Sequence, residues 1–155
     1  MYRYSVKKMI DQVDRTILEE YIKDSRQSFR EVARKTDVSP GTVAARVAKM
    51  EEKGIIKRYT IQVDHEKLGY DLTVLINVNV IGAPDFFEEN NALTELTEPN
   101  AIYNTTGDND IMIIAKFKNR ESLSNFTKNL LRMKSVQGTK TQLVLKTLVE
   151  DFNKI

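Results

Sequence analysis

Apolar residues in the first third of the chain recur at helical spacing. Ile10, Val13, Ile17, Leu18 and Tyr21 mark one face of a helix. Asp11 is placed to cap it, and Asp14 adds acid to its first turn. The polar run from Lys23 to Gln27 breaks the pattern. Ser28 with Glu31 three residues on is a capping-box pair. It opens a short second helix whose apolar face is Phe29, Val32 and Ala33. After a break at Thr36-Asp37-Val38, Ser39-Pro40 starts a third helix, with an N-cap followed by a residue whose missing N–H costs nothing in the first turn. Val43, Val47 and Met50 then follow at i, i+4 and i+7. Gly54 suits the left-handed position that ends a helix. Short helix, tight turn and longer helix make a helix-turn-helix. Ile56 to Val63 reads as extended, with Ile56, Tyr59, Ile61 and Val63 apolar between polar neighbours, which would add a wing.

The rest of the chain changes period. Asp64-His65-Glu66-Lys67-Leu68-Gly69-Tyr70 is polar and turn-like and reads as a short ordered hinge over residues 64–70. Leu72 to Ile81 is a β-branched run and predicts a strand, ended by Gly82 and Pro84. Phe86, Phe87, Leu93 and Leu96 suit a helix over about 85–97, closed by Pro99. Ala101–Thr106 and Ile111–Phe117 predict two strands joined by the polar turn Gly107-Asp108-Asn109-Asp110, a hairpin. Asn119 caps a helix carrying Leu123, Phe126, Leu130 and Leu131, and Thr139 to Val149 predicts the last strand. The order β-α-β-β-α-β is the split, ferredoxin-like plan. The expected class is therefore α+β. A winged helix-turn-helix domain at 10–63 follows an extension at 1–9, and a ferredoxin-like βαββαβ domain fills 71–155.

Composition narrows the chemistry. The 155 residues suffice for one ordinary domain or two small ones, and 41% hydrophobic with 30% charged residues predicts a folded, soluble chain. No apolar run approaches the roughly 18 residues that span a bilayer. The start, with Arg3, Lys7 and Lys8 but no apolar stretch after them, does not read as a signal peptide, so a cytoplasmic location is the expectation. There is no cysteine, which excludes disulfides, thiolate catalysis and zinc-thiolate sites. The single histidine, His65, excludes His-cluster metal sites. No metal and no cofactor is expected. The net charge of +2 hides an asymmetry. Residues 1–60 hold 14 Lys/Arg against 9 Asp/Glu, whereas 61–155 hold 10 against 13. A basic front joined to an acidic back suggests two tasks, the first with a polyanion.

Three sequence segments carry a resemblance. Ile10-Asp11-Gln12-Val13-Asp14-Arg15-Thr16-Ile17-Leu18 resembles the first helix of the Lrp/AsnC (leucine-responsive, feast/famine) transcription regulators. Ser39-Pro40-Gly41-Thr42-Val43 with Arg46, then Glu51 to Tyr59, is similar to their recognition helix and its exit. Thr106-Gly107-Asp108-Asn109-Asp110 resembles the turn of their effector domain. The likeness covers about residues 10–150. It implies a regulator that binds double-stranded DNA as a homodimer at a roughly palindromic operator. It further implies assembly into octamers or other higher forms, and an amino acid or related metabolite bound between dimers that alters assembly and DNA affinity.

Physical reading of the sites adds detail. Steps of about 100° put Thr42, Arg46, Lys49 and Lys53 on one side of the third helix, with Ala45 beside them. Arg46 is the expected base reader, because its fork matches guanine O6 and N7. Lys49 and Lys53 suit phosphates, and Thr42 suits a base edge or a thymine methyl. The free N–H groups after Ser39 and Pro40 fit a phosphate or a carboxylate equally. Gln27 and Ser28 lie at the second helix's start, where family analogy places the DNA backbone, although Ser28 is also a plain cap. Of Lys57 and Arg58, one is expected to face DNA, and Arg58 is the candidate. Ala44, Ala45 and Ala48 are small where the family is richer in polar contacts. Modest selectivity and a strong salt dependence are therefore expected. The turn with Gly107, Asp108 and Asp110 is a hairpin turn on its own terms. By analogy it also holds the effector, with hydroxyls from Thr139 and Thr141.

Two other classes stay open. Siroheme decarboxylases share a similar two-part architecture, but an enzyme of that kind needs a basic pocket and a placed acid or base. One hinge histidine and an acidic back half argue against it, so no catalytic residue is expected. An architectural DNA-coating protein without a ligand is the other class, and it fits the small residues of the third helix.

Overall fold

A computed structural model of the chain describes residues 10–82, 93 and 95–155. These divide near Gln62 into two units, the second running from Val63 to Val149, while the last six residues group with the first.

The first unit is helical. Helix α1 (Gln12–Lys23) is opened by reciprocal bonds. The Asp11 carboxylate accepts from the Asp14 N–H at 2.9 Å, and the Asp14 carboxylate accepts from the Asp11 N–H at 3.1 Å. Helix α2 (Phe29–Thr36) has the Ser28–Glu31 box that the spacing predicts, with the Ser28 N–H donating to Glu31 at 2.7 Å. It ends with Asp37 in the left-handed region at φ 53°. Asp tolerates that region better than most residues. Helix α3 (Pro40–Glu52) starts at Ser39, whose Oγ accepts from the Thr42 N–H at 3.0 Å. Gly54 follows at φ 66°, as the helix-end reading requires. The core is Ile17, Tyr21, Val32, Ala33, Val43, Val47 and Met50, the stripes that periodicity marks. Phe29 departs from expectation, being 44% exposed.

The predicted wing does not pair. Residues 57–64 join no strand ladder among the described residues, and Ile61 is 78% exposed. A lone segment in an otherwise helical unit has no neighbour to supply ladder bonds. Within it, Tyr59 is anchored. Its hydroxyl donates to Glu51 at 2.9 Å and its ring meets Tyr21 edge-on. Residues 65–69 then form turns, with the His65 carbonyl accepting from Leu68 and Tyr70.

The second unit is a four-stranded antiparallel sheet in the order β2-β3-β1-β4. Its strands are β1 (Leu72–Val80), β2 (Pro99–Asn104), β3 (Ile111–Phe117) and β4 (Val136–Leu143). Helix α4 (Arg120–Arg132) is capped by Asn119, whose Oδ1 accepts from the Ser122 N–H at 2.8 Å. Strict alternation on β3 buries Ile111, Ile113, Ala115 and Phe117. They pack with Val74, Ile76 and Val78 of β1 and with Phe126 and Leu130 of α4. Leu131, expected on the same helix face, is 52% exposed, one step of about 100° round from Leu130.

Strand β4 corrects the predicted Thr139–Val149. It begins three residues earlier, because a register shift at Asn79/Val80 lets Val136 pair with Val80. It stops at Leu143 opposite Val74, and Val144 adds a last bond to the Thr73 carbonyl. Beyond that β1 has almost no backbone left to pair with. Strand β2 likewise starts at Pro99 rather than Ala101. The helix expected over 85–97 lies almost wholly outside the described residues, although Leu93 is buried in the sheet's core and Leu96 packs against it. The expected extension at 1–9 also lies outside them.

Candidate functional site

Helix α3 presents the surface that the first unit leaves uncovered. Val43, Val47 and Met50 point inward, while Ala45, Lys49 and Lys53 are exposed. Thr42 is half-buried, and its hydroxyl lies 2.9 Å from that of Ser39, so the two hydroxyls at the head of the helix already hold each other. Lys49, Lys53 and Arg58 make no ion pair with any described residue, which leaves them free to meet an anion.

Arg46 corrects the sequence reading. Its guanidinium donates from one nitrogen to Asp11 at 2.6 Å and to Asp14 at 2.8 Å. The N-cap of α1 is thus tied to the flank of α3, across 35 residues of chain. The bond from Arg46 holds the Asp11 carboxyl below its ordinary range, and the two carboxylates push the guanidinium's pKa up. An Arg committed to two carboxylates ties α3 to the start of α1. To read guanine it would first have to leave them. Asp11 and Asp14 are recognisable from sequence as helix-capping residues, but nothing local indicates that they hold Arg46.

Gln27 departs in the same way. Its amide donates to the carbonyls of Glu20 and Asp24 and accepts from Lys35 at 2.6 Å, so it fastens the α1–α2 loop. Ser28 is engaged with Glu31 through both its N–H and its hydroxyl, the plain capping role. Arg30 and Arg34, which sequence reasoning passed over, line a concave surface with Ser39 and Pro40 at the α2–α3 turn. Their i, i+4 spacing beside the start of α3 was the available signal.

In the second unit, the turn between β2 and β3 is held from within. Gly107 sits at φ 113°, a backbone conformation that favours glycine. The Thr105 hydroxyl donates to the Asn109 carbonyl at 2.9 Å. The Asp110 carboxylate accepts from the Val80 N–H at 2.9 Å, and its own N–H donates to the Val78 carbonyl. Asp110 therefore stitches the turn to the end of β1 and has one carboxylate oxygen committed. Asp108 is exposed, with its carbonyl accepting from the Asn79 side chain. Thr139 pairs with Val78 and Thr141 with Ile76. Strand β1 thus lies between the turn and both threonines, a separation of two strand spacings, about 10 Å. Within one chain the turn and the threonines share an end of the sheet without meeting.

Among the described residues no cluster of His, Asp or Glu is arranged to hold a metal ion. None of the described helices is long and apolar enough to cross a membrane.

A helix-turn-helix with a free basic face, followed by a split β-α-β sheet with a built turn, defines a two-part DNA-binding regulator. Comparison with known proteins agrees. Residues 10–57 match the family "Winged helix-turn-helix DNA-binding", and residues 73–153 match "Lrp/AsnC ligand binding domain". The chain belongs to the Lrp/AsnC family of transcriptional regulators. It is 38% identical over 143 residues to the HTH-type transcriptional regulator PH1692 of Pyrococcus horikoshii, covering 92% of this chain and 96% of that protein. It resembles the structure of Escherichia coli AsnC with a TM-score of 0.83 at 32% identity, covering 92% of this chain and 96% of the other. It also shares its fold with the Neisseria meningitidis regulator NMB0573, solved as a complex with L-Met, with a TM-score of 0.85 at 23% identity over 94% of this chain and 96% of that one.

Proposed function

We propose that this DNA-binding regulator changes its assembly and its operator affinity in response to an amino acid. The free basic face of α3 carries the reading: Lys49 and Lys53 are exposed and unpaired, and Ala45 lets the helix approach closely. Ser39 and Thr42 set the helix's N-terminal end toward the groove, and Arg58 reaches the backbone beyond it. Arg46 acts indirectly, by holding α3 against α1. With small residues at Ala44, Ala45 and Ala48, direct base contacts are few, so DNA shape supplies much of the selectivity. A dimer places two such helices on half-sites about one helical turn apart.

Apolar exposure in the second unit supports assembly. Tyr103 is 44% exposed, Leu145 94% and Leu148 84%, apolar side chains that a second copy would cover. The effector binds near Gly107 and Asp108, with Thr139 and Thr141 supplied by a neighbouring subunit, since the two sets do not meet within one. Asp110 keeps the turn in shape. The protein performs no catalysis and works in the cytoplasm. L-methionine leads the candidates only because the Neisseria relative was solved with it.

The test is light scattering with fluorescence anisotropy on a labelled operator, across the twenty amino acids, for the natural chain, Asp108→Ala and Thr141→Ala. One amino acid should change both mass and affinity, and each variant should blunt the response while DNA binding persists. If no amino acid changes either quantity, the effector half of the proposal fails and the DNA-binding half stands.

A further inference from the structure

A second, chemically distinct groove lies within the first unit. It has a volume of about 450 Å³ and is walled by Tyr21, Phe29, Ala44, Ala48, Glu51 and Tyr59, among others. Tyr21 is only 8% exposed. Its hydroxyl oxygen is shut off from water and has no hydrogen-bond partner among the described residues. A buried hydroxyl left unpaired is a cost that native structures avoid. The rings of Tyr21 and Tyr59 stand edge to face, with centroids 6.2 Å apart. Phe29 is 44% exposed, so a third ring lies open beside them. Ala44 and Ala48, one turn apart on α3, leave the space that larger residues would fill.

The charge of the groove is specific. Glu51 accepts the Tyr59 hydroxyl through Oε1, and no bond to its second oxygen is recorded among the described residues. Burial, with the hydrogen bond to Glu51 and its charge, pushes the Tyr59 hydroxyl up to about 12, and burial with the Glu51 charge raises the Tyr21 hydroxyl too. Both phenols are therefore neutral beside a carboxylate, and each hydroxyl oxygen keeps acceptor capacity. Aromatic faces attract cations through their quadrupole, and a carboxylate beside them adds a counter-charge. An anion would meet Glu51, and an apolar molecule would leave the Tyr21 hydroxyl unpaired.

We propose that this groove binds a small organic cation, an alkylammonium or alkylguanidinium, with its charged head between Glu51 and the aromatic rings and its stem against Ala44 and Ala48. The Tyr21 hydroxyl is shut off from water in this structure, so the Tyr21 and Tyr59 rings must part for its oxygen to accept the cation's N–H. The site is separate from the effector turn and lies on the flank of the helix that carries Lys49. It gives the DNA-binding unit a ligand of its own.

The experiment is a titration of the isotope-labelled full chain, followed by amide shifts, with butylammonium, butylguanidinium, butanol and butyrate. The expected result is saturable movement of the Ala44, Ala48 and Tyr59 amides with the two cations only. Tyr21→Phe and Glu51→Gln should each weaken binding by about fivefold or more. Ala48→Met, an exposed position that fills the groove and removes no polar group, should abolish it. The dispersed spectra of all three variants check that the fold survives. Equal shifts from all four probes, no saturation by either cation, or unchanged affinity in the variants would overturn the proposal and leave the groove to water.

Discussion

The two units solve the same problem, holding a presented surface still, with different means. Among the described residues, the first has seven buried core residues and the second twelve. The first compensates for its small core with polar ties: the Asp11–Asp14–Arg46 clamp, the Lys23–Glu20 and Lys35–Glu20 pairs, and a cap at every helix start. The second rests on a sheet whose inner face is fully dry at Val74, Ile76, Val78, Ile111, Ile113 and Ala115. Its polar side-chain bonds gather where a shape must be kept, at the turn after β2 and at the cap of α4. A small helical unit can therefore be adjusted by charge and pH, whereas the sheet is sensitive chiefly to lost volume.

The largest expected effect is on the sheet. Ile113→Ala removes a fully buried side chain from the middle of β3 and should cost about 2–5 kcal/mol. Calorimetry should show the loss in the transition of the second unit. An equal loss in Ile17→Ala, carried by a separate transition, would show that both cores are packed alike despite their difference in size.

The second effect separates the units by task. Lys49→Ala should weaken DNA binding across unrelated sequences and lower the slope of log affinity against log salt by about 0.9. Arg46→Ala should lower the melting temperature and leave that slope nearly unchanged, because its charge is spent on Asp11 and Asp14. A slope that falls as far for Arg46→Ala as for Lys49→Ala would return Arg46 to the DNA.

Ser39→Ala tests the caps. It should destabilise the first unit by about 1 kcal/mol in urea unfolding. The proposed effector response should not change.

The smallest effect is on acid stability. Arg46 holds Asp11 below its ordinary 3.8, and Ser28 and Lys23 hold Glu31 and Glu20 below 4.5. Each depressed carboxylate contributes stability that is complete above its unfolded value and is lost as pH falls through its folded value. The first unit's melting temperature should hold from neutrality to about pH 5 and decline below about pH 4. The Arg46→Ala chain should lose less over that interval. Thermal melts in a pH series check both.

Much of this molecule was legible locally. Asp11, Ser28, Ser39 and Asn119 cap helices because each side chain reaches an N–H only three residues away, a contact that spacing alone encodes. Alternation gave β3 its buried face, and the apolar stripes gave both cores. The class of protein followed from the same short motifs, taken in order along the chain.

What sequence spacing could not give depends on partners far along the chain. Arg46 reads as a base-contacting residue until the fold brings it to two carboxylates more than thirty positions away. Gln27 reads as a surface contact until Lys35 and two carbonyls occupy its amide. Asp110 reads as an effector contact until the Val80 N–H, thirty residues earlier, takes one of its oxygens. Strand β4 reads three residues too late at its start and six too late at its end, because its true start and stop are set by how much of β1 remains to pair. Caps and periodicity are short-range and fixed by the chain's own geometry. The destination of a long charged or amide side chain is set by which groups folding leaves within reach of it.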